Sequence, residues 1–175
     1  ASSNLVTSVN TEGTTGAVTT SLDAGVGTYA GGAGVDTVTT VTTTTPTKAI
    51  SLGAGVGSLT LATGTSVSTS ILDGGDGTDT LVMAAANAET ASATIAFEAQ
   101  ITAFEELSLG EVAATADNTV NLAKMDDISY VVSAGTADTV QISTETITAT
   151  TQLHATTDTA TIIVDSVTYT TAALT

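Results

Sequence analysis

GGDGTDTL, Gly74 to Leu81, is the stretch on which the reading of this chain turns. Its three glycines open backbone angles closed to other residues, so successive carbonyl oxygens can turn toward one point. Asp79 adds a carboxylate there, and Leu81 supplies an apolar strand position two residues on. Carbonyls and carboxylates together make a cage of hard oxygens, which suits calcium. The spacing satisfies the nonapeptide pattern GGxGxDxU of parallel β-structures. A second stretch, GGAGVDTV from Gly31 to Val38, keeps the glycine spacing, the acid at Asp36 and the apolar residue at Val38.

These two turns supply the metal-ligating candidates: Asp73, Gly75, Asp76, Gly77 and Asp79 in one, Gly32, Gly34 and Asp36 in the other. The expected neighbour of the second is AGVGTY, Ala24 to Tyr29, which lacks the acid; Asp23 is the candidate that substitutes for it. The expected cofactor is Ca2+. Glu105, Glu106, Asp126 and Asp127 read instead as exposed surface charges.

Outward from the turns, SLDAGVGTY (Ser21 to Tyr29) aligns with SLGAGVGSL (Ser51 to Leu59) thirty positions later, which reads as a duplication within residues 1–83. In residues 84–175 a weaker rhythm sets an acid before apolar strands at Asp117, Asp138 and Asp158, at spacings that divide into units of about 20 residues. Thr makes up 41 of the 175 residues. Thr and Val are β-branched and favour a pleated surface over a helix. The Ala- and Glu-rich stretch after Ala84 predicts one short helix near Ala84 to Ala91. The segment around Pro46, the sole proline, reads as a loop or edge strand. The expected fold is therefore all-β: a right-handed parallel β-helix or β-roll solenoid with coils of about 20 residues, in a single elongated domain over 1–175.

Net charge is −16, from 18 acids against Lys48 and Lys124, with no arginine. Nucleic acid and anionic membrane need basic side chains to neutralise phosphate, so neither is an expected partner. A cation is, since it would relieve the repulsion among so many acids. No apolar stretch approaches the length of a membrane-spanning helix. Cysteine is absent, which removes disulfides and thiolate metal sites from consideration.

The GGxGxDxU turns, the Thr/Val-rich strands and the phrase ITAFEELSL (Ile101 to Leu109) resemble the calcium-binding RTX-type surface-layer and adhesin proteins that bacteria export by type I secretion. That resemblance implies the β-helix or β-roll fold and calcium-dependent assembly into a lattice at the cell surface. It also implies a secreted location, copies of the same chain as partners and cell-surface polysaccharide as a further one. Family members stack several such turns nine residues apart, whereas here they stand singly.

Enzyme chemistry finds little to work with. His154 is the only histidine, no GxSxG elbow accompanies it, and the glycine run GAGVG (Gly53 to Gly57) precedes strand-like SLTL rather than a helix that could hold a pyrophosphate. The expected function is a structural, calcium-dependent, self-assembling extracellular subunit. The alternative is an adhesin segment that meets a host, glycan or ice surface through Thr-rich faces.

Overall fold

The structure is a computed structural model. It describes residues 6–41, 45–61, 69–93, 95–110, 118–125, 128–134, 145–148, 152–155, 159–164 and 167–172. Strands run in order β1 (Ser8–Asn10), β2 (Val18–Leu22), β3 (Thr28–Ala30), β4 (Asp36–Thr40), β5 (Ile50–Ser51), β6 (Ser58–Leu61), β7 (Leu72–Asp73) and β8 (Thr80–Met83). Helix α1 (Ala85–Ser92) follows, then β9 (Ile101–Thr102), β10 (Glu106–Leu109), β11 (Asn118–Asn121), β12 (Tyr130–Ser133), β13 (Glu145–Thr148), β14 (Gln152–Ala155), β15 (Thr159–Val164) and β16 (Val167–Ala172). The chain alternates between two parallel sheets, one ordered β1-β3-β5-β7-β9 and the other β14-β12-β10-β8-β6-β4-β2. β11 and β13 form a separate parallel pair, and β15 and β16 an antiparallel one.

Register explains why the sequence folds this way. Inward positions of the longer sheet form one column, Val38, Leu59, Leu81, Leu107 and Val131, each opposite the next and each fully buried. Tyr29, Ile50, Leu72 and Ile101 form the facing column of the other sheet. Fully burying one such aliphatic side chain stabilises by roughly 1.5–3 kcal/mol, so the alternation of apolar and Thr residues sets which face turns inward. Thr37, Thr39, Ser58 and Thr60 fall on the outward face as a result.

The expectation of an all-β, right-handed β-helix or β-roll solenoid with coils of about 20 residues is corrected. The class is mixed α/β: the strands of the two sheets are short, and α1 is part of the packed body, with Ala85, Ala88, Ala91 and Ser92 buried. Steps between paired strands are uneven, from 18 residues (Val18 opposite Asp36) to 29 (Leu72 opposite Ile101). The physical reason lies in α1. An alanine-rich run has the best helix propensity and too little side chain for a β-core, so the long connection after β8 winds into a helix at the predicted place.

α1 is then tied down by side chains that follow it. The Glu89 carboxylate accepts from Asn118 Nδ2 at 2.7 Å and from the Thr119 amide at 3.2 Å. Lys124 Nζ donates to the Ala93 carbonyl at 3.0 Å, a cation at the helix C-terminus where the dipole favours it.

SLDAGVGTY and SLGAGVGSL, similar in sequence, do not occupy equivalent positions. The first leads from the longer sheet into the shorter (β2 to β3), the second from the shorter into the longer (β5 to β6). Residues 45–47 around Pro46 are irregular, as expected of a loop; 42–44 and the acids Asp117, Asp126, Asp127, Asp138 and Asp158 lie outside the described residues.

Three corners leading from the shorter sheet to the longer are in register and equally long: 31–36, 52–57 and 74–79. Amides of each tier bond carbonyls of its neighbour, Ala33 to Thr14, Ala54 to Gly32 and Asp76 to Gly53, at 2.8–2.9 Å. A Cβ on Gly53 would overlap the Gly32 carbonyl, and one on Gly75 would overlap that of Gly53; both glycines also have positive φ, 92° and 94°. Gly13 and Gly16 have open space where a Cβ would stand. Gly75→Ala is expected to lower the melting temperature by several degrees, on the order of 2 kcal/mol or more, while Gly13→Ala and Gly16→Ala stay within about 0.5 kcal/mol of wild type. Thermal denaturation followed by circular dichroism checks the contrast.

Candidate cation site at the stacked corners

The nine candidate residues fall in three places. Asp23 sits at the opposite corner, where its Oδ1 accepts from the Gly25 amide at 2.9 Å and its carbonyl from Val26 and Gly27. It shapes its own turn. Gly32, Gly34, Gly75 and Gly77 lie in the stacked corners, with Gly53 and Gly55 between them. The tier next to 31–36 in the longer sheet is thus GAGVG, not the expected AGVGTY.

The four remaining acids divide between inside and outside. Asp36 is the first residue of β4 and Asp79 immediately precedes β8; both are fully buried. Asp73 and Asp76 flank an open groove of about 440 Å³ on the outer side, with Glu12. Asp73 is held by hydroxyls of both neighbouring tiers, Ser51 Oγ at 3.3 Å and Thr102 Oγ1 at 3.1 Å, while Asp76 is exposed.

Each buried carboxylate binds one backbone amide. Asp36 Oδ2 accepts from Gly32 at 3.1 Å within its own corner. Asp79 Oδ1 reaches to the neighbouring tier and accepts from Gly57 at 2.6 Å. The other oxygen of each, Asp36 Oδ1 and Asp79 Oδ2, is buried with no hydrogen-bond partner among the described residues.

Two residues outside the motif complete the environment. Gly57 stands in the column where Asp36 and Asp79 stand one tier to either side, and its missing side chain lets Asp79 reach the amide. Glu105, expected to be a solvated surface charge, is half-buried: its Oε2 accepts from the Asp79 amide at 2.8 Å, and its own amide donates to the Asp79 carbonyl at 3.2 Å. Glu106 likewise accepts from Thr80 Oγ1 at 3.2 Å. The signal for Glu105 was its place just before an apolar strand, the same place Asp79 has before TLVM, although a three-residue corner (103–105) hides the alignment.

The electrostatics follow from this packing. Burial first, then the charges of Glu105 and Asp73, push the Asp79 carboxyl up to about 6, against the Gly57 hydrogen bond that lowers it. Burial also raises the Tyr29 hydroxyl, against the Thr11 hydrogen bond that lowers it, and the nearby Asp36 carboxylate adds to the rise through its charge and through a weak hydrogen-bonding interaction.

Among the described residues no three acidic or histidine side chains are grouped so as to hold a metal by themselves. A cation at these corners would have to be held by single carboxylate oxygens plus backbone carbonyls. Calcium accepts such a set, taking roughly six to eight oxygens in flexible geometry. Asp36 Oδ1 and Asp79 Oδ2 have the unmet bonding capacity that such an ion uses. The Gly32 and Gly53 carbonyls each already accept one amide and retain a second lone pair.

Among the described residues no helix is long and apolar enough to cross a membrane. Comparison of the chain with family models, with curated proteins and with solved structures finds no match.

The folded value for Asp79 lies above the unfolded one, near 3.9, so ionisation favours the unfolded chain. Its contribution to stability is present at low pH and falls as pH rises from about 4 to about 6. Asp79→Asn keeps an oxygen for the Gly57 amide and is expected to flatten that part of the stability profile in metal-free buffer. Urea denaturation across about pH 4 to 7 measures the slope; an unchanged slope in the variant would remove Asp79 as its cause.

Proposed function

We propose that this chain is a structural, non-enzymatic protein of the cell exterior that associates with copies of itself and uses calcium at its glycine corners to complete the fold. One observation supports the cation dependence: two buried aspartates, both in the GGxGxD stretches, each with a carboxylate oxygen that has no hydrogen-bond partner within 3.5 Å among the described residues. Burying such an oxygen as an anion is costly, and a bound positive charge offsets that cost. The raised Asp79 value reports the same deficit. Calcium at about 100 times its dissociation constant would add about 2.7 kcal/mol per site, a condition met more readily outside a cell than in its cytoplasm.

Self-association is supported by the ends of the sheets. β1 and β2 are consecutive strands of the chain, and among the described residues each is the outermost strand of its sheet, an edge of the kind to which a further strand can add. A second reading, adhesion to a host, glycan or ice surface or to cell-surface polysaccharide, is favoured by the in-register hydroxyls Thr37, Ser58 and Thr80 on the outward face.

Metal-free protein titrated with calcium, followed together by circular dichroism and light scattering, tests the proposal. The melting temperature is expected to rise by several degrees and large particles to appear, with Asp36→Asn and Asp79→Asn each blunting the response. Chelator-treated protein that stays equally stable and equally assembled would overturn it.

A further inference from the structure

On a chain with 18 acids and two lysines, the outward face of the longer sheet is unusual in carrying no charge across four consecutive strands. From β2 through β8 its outward positions are Thr, Ser and Val, and the first acid is Glu106 on β10. Thr37 lies opposite Ser58 and Thr39 opposite Thr60, two columns of hydroxyls with strands about 4.8 Å apart. The side-chain hydroxyls of these four make no hydrogen bond among the described residues, although the Thr60 carbonyl accepts from Thr40 Oγ1 at 3.3 Å. Beside them Val35 and Val56, just ahead of the strands, are 53% and 56% exposed, among the most exposed large apolar residues of the molecule.

We infer that this face is where a second copy of the chain docks, sheet against sheet, an inference that rests on the self-associating function proposed above and names its lateral interface. Charge selects the occupant. Two molecules of net charge −16 repel wherever acids meet, and with only Lys48 and Lys124 they cannot be held together by ion pairs. An uncharged face is the surface on which they can approach. Hydroxyls make it self-complementary, since each donates and accepts and so can pair with its counterpart across a two-fold axis. Sheets pack face to face at about 10 Å, a distance at which Val35 and Val56 would leave water. Four strands at about 4.8 Å by four to five residues at about 3.3 Å give each copy roughly 300 Å² of flat face. The pair then buries roughly 600 Å², below the area of a specific stand-alone interface, so each contact is weak and a lattice of them is needed for permanence.

The test places charge on the face: Thr39→Asp with Thr60→Asp in one chain, and Thr39→Lys with Thr60→Lys in a second. Both positions point outward, and circular dichroism and melting temperature confirm that each variant folds. Sedimentation velocity in calcium-containing buffer is expected to show association of the Asp variant weakened by about tenfold or more, and recovery when Asp and Lys variants are mixed. Association of the Asp variant at the wild-type level overturns the inference, as does weakening that the Lys variant fails to rescue. So does a variant that assembles normally but loses retention on a glycan column or inhibition of ice recrystallisation, since the face would then serve another occupant. Wild type that pairs through this face with or without chelator leaves the inference standing and removes the calcium reading. Wild type that stays monomeric under every condition removes both.

Discussion

Backbone meets backbone at the glycine corners more closely than any side chain would allow, and the parallel register of both sheets depends on that approach. Gly53 lies against the carbonyl of Gly32, and Gly75 against that of Gly53. The same contact brings each corner's amide onto its neighbour's carbonyl, so the ladder of hydrogen bonds continues through the turn instead of stopping at the strand ends. Strands of two to five residues are too short to set their own pairing. Fixed corners of six residues set it for them, and the Leu, Ile and Val columns then face one another by default.

The polar interior follows from those corners. A carboxylate placed at the start of a strand, just after a glycine turn, points inward with the apolar residues of that strand, and Asp36 and Asp79 do so with Val38 and Leu81. Backbone amides satisfy half of each carboxylate. The unmatched half leaves buried negative charge uncompensated among the described residues, and at Asp79 the burial and the neighbouring acids raise the carboxyl and tie stability to pH. Net charge of −16 works against compaction, and the uncharged Thr and Val face is the part of the longer sheet where that repulsion is least.

Much of this was legible in residue types. The apolar position at Val38 and the strand-like SLTL pointed to strands, and the alanine run to the helix that occupies Ala85–Ser92. The glycine stretches 31–36 and 74–79 announced turns, and both became corners on the same side of the body. What misled was similarity without register. SLDAGVGTY and SLGAGVGSL share their letters but sit at opposite corners, because they begin on β2 and β5, three strands apart in a chain that alternates between the two sheets. Glu105 looked like one of many surface acids, yet a corner three residues shorter than the others sets it beside Asp79. The all-β class failed at the connection after β8, whose helix is integrated into the core.

Composition and pattern alone therefore determined the element types, the inward and outward faces, the charge that any partner must tolerate and the places where only glycine fits, since each of these depends on residues within a few positions of one another. Tertiary structure alone decided which tier lies against which, that Gly57 rather than an acid stands between Asp36 and Asp79, and that one oxygen of each aspartate is left without a partner. Those outcomes depend on the lengths of connections between distant segments, and a connection can gain or lose residues without altering the local pattern at either end.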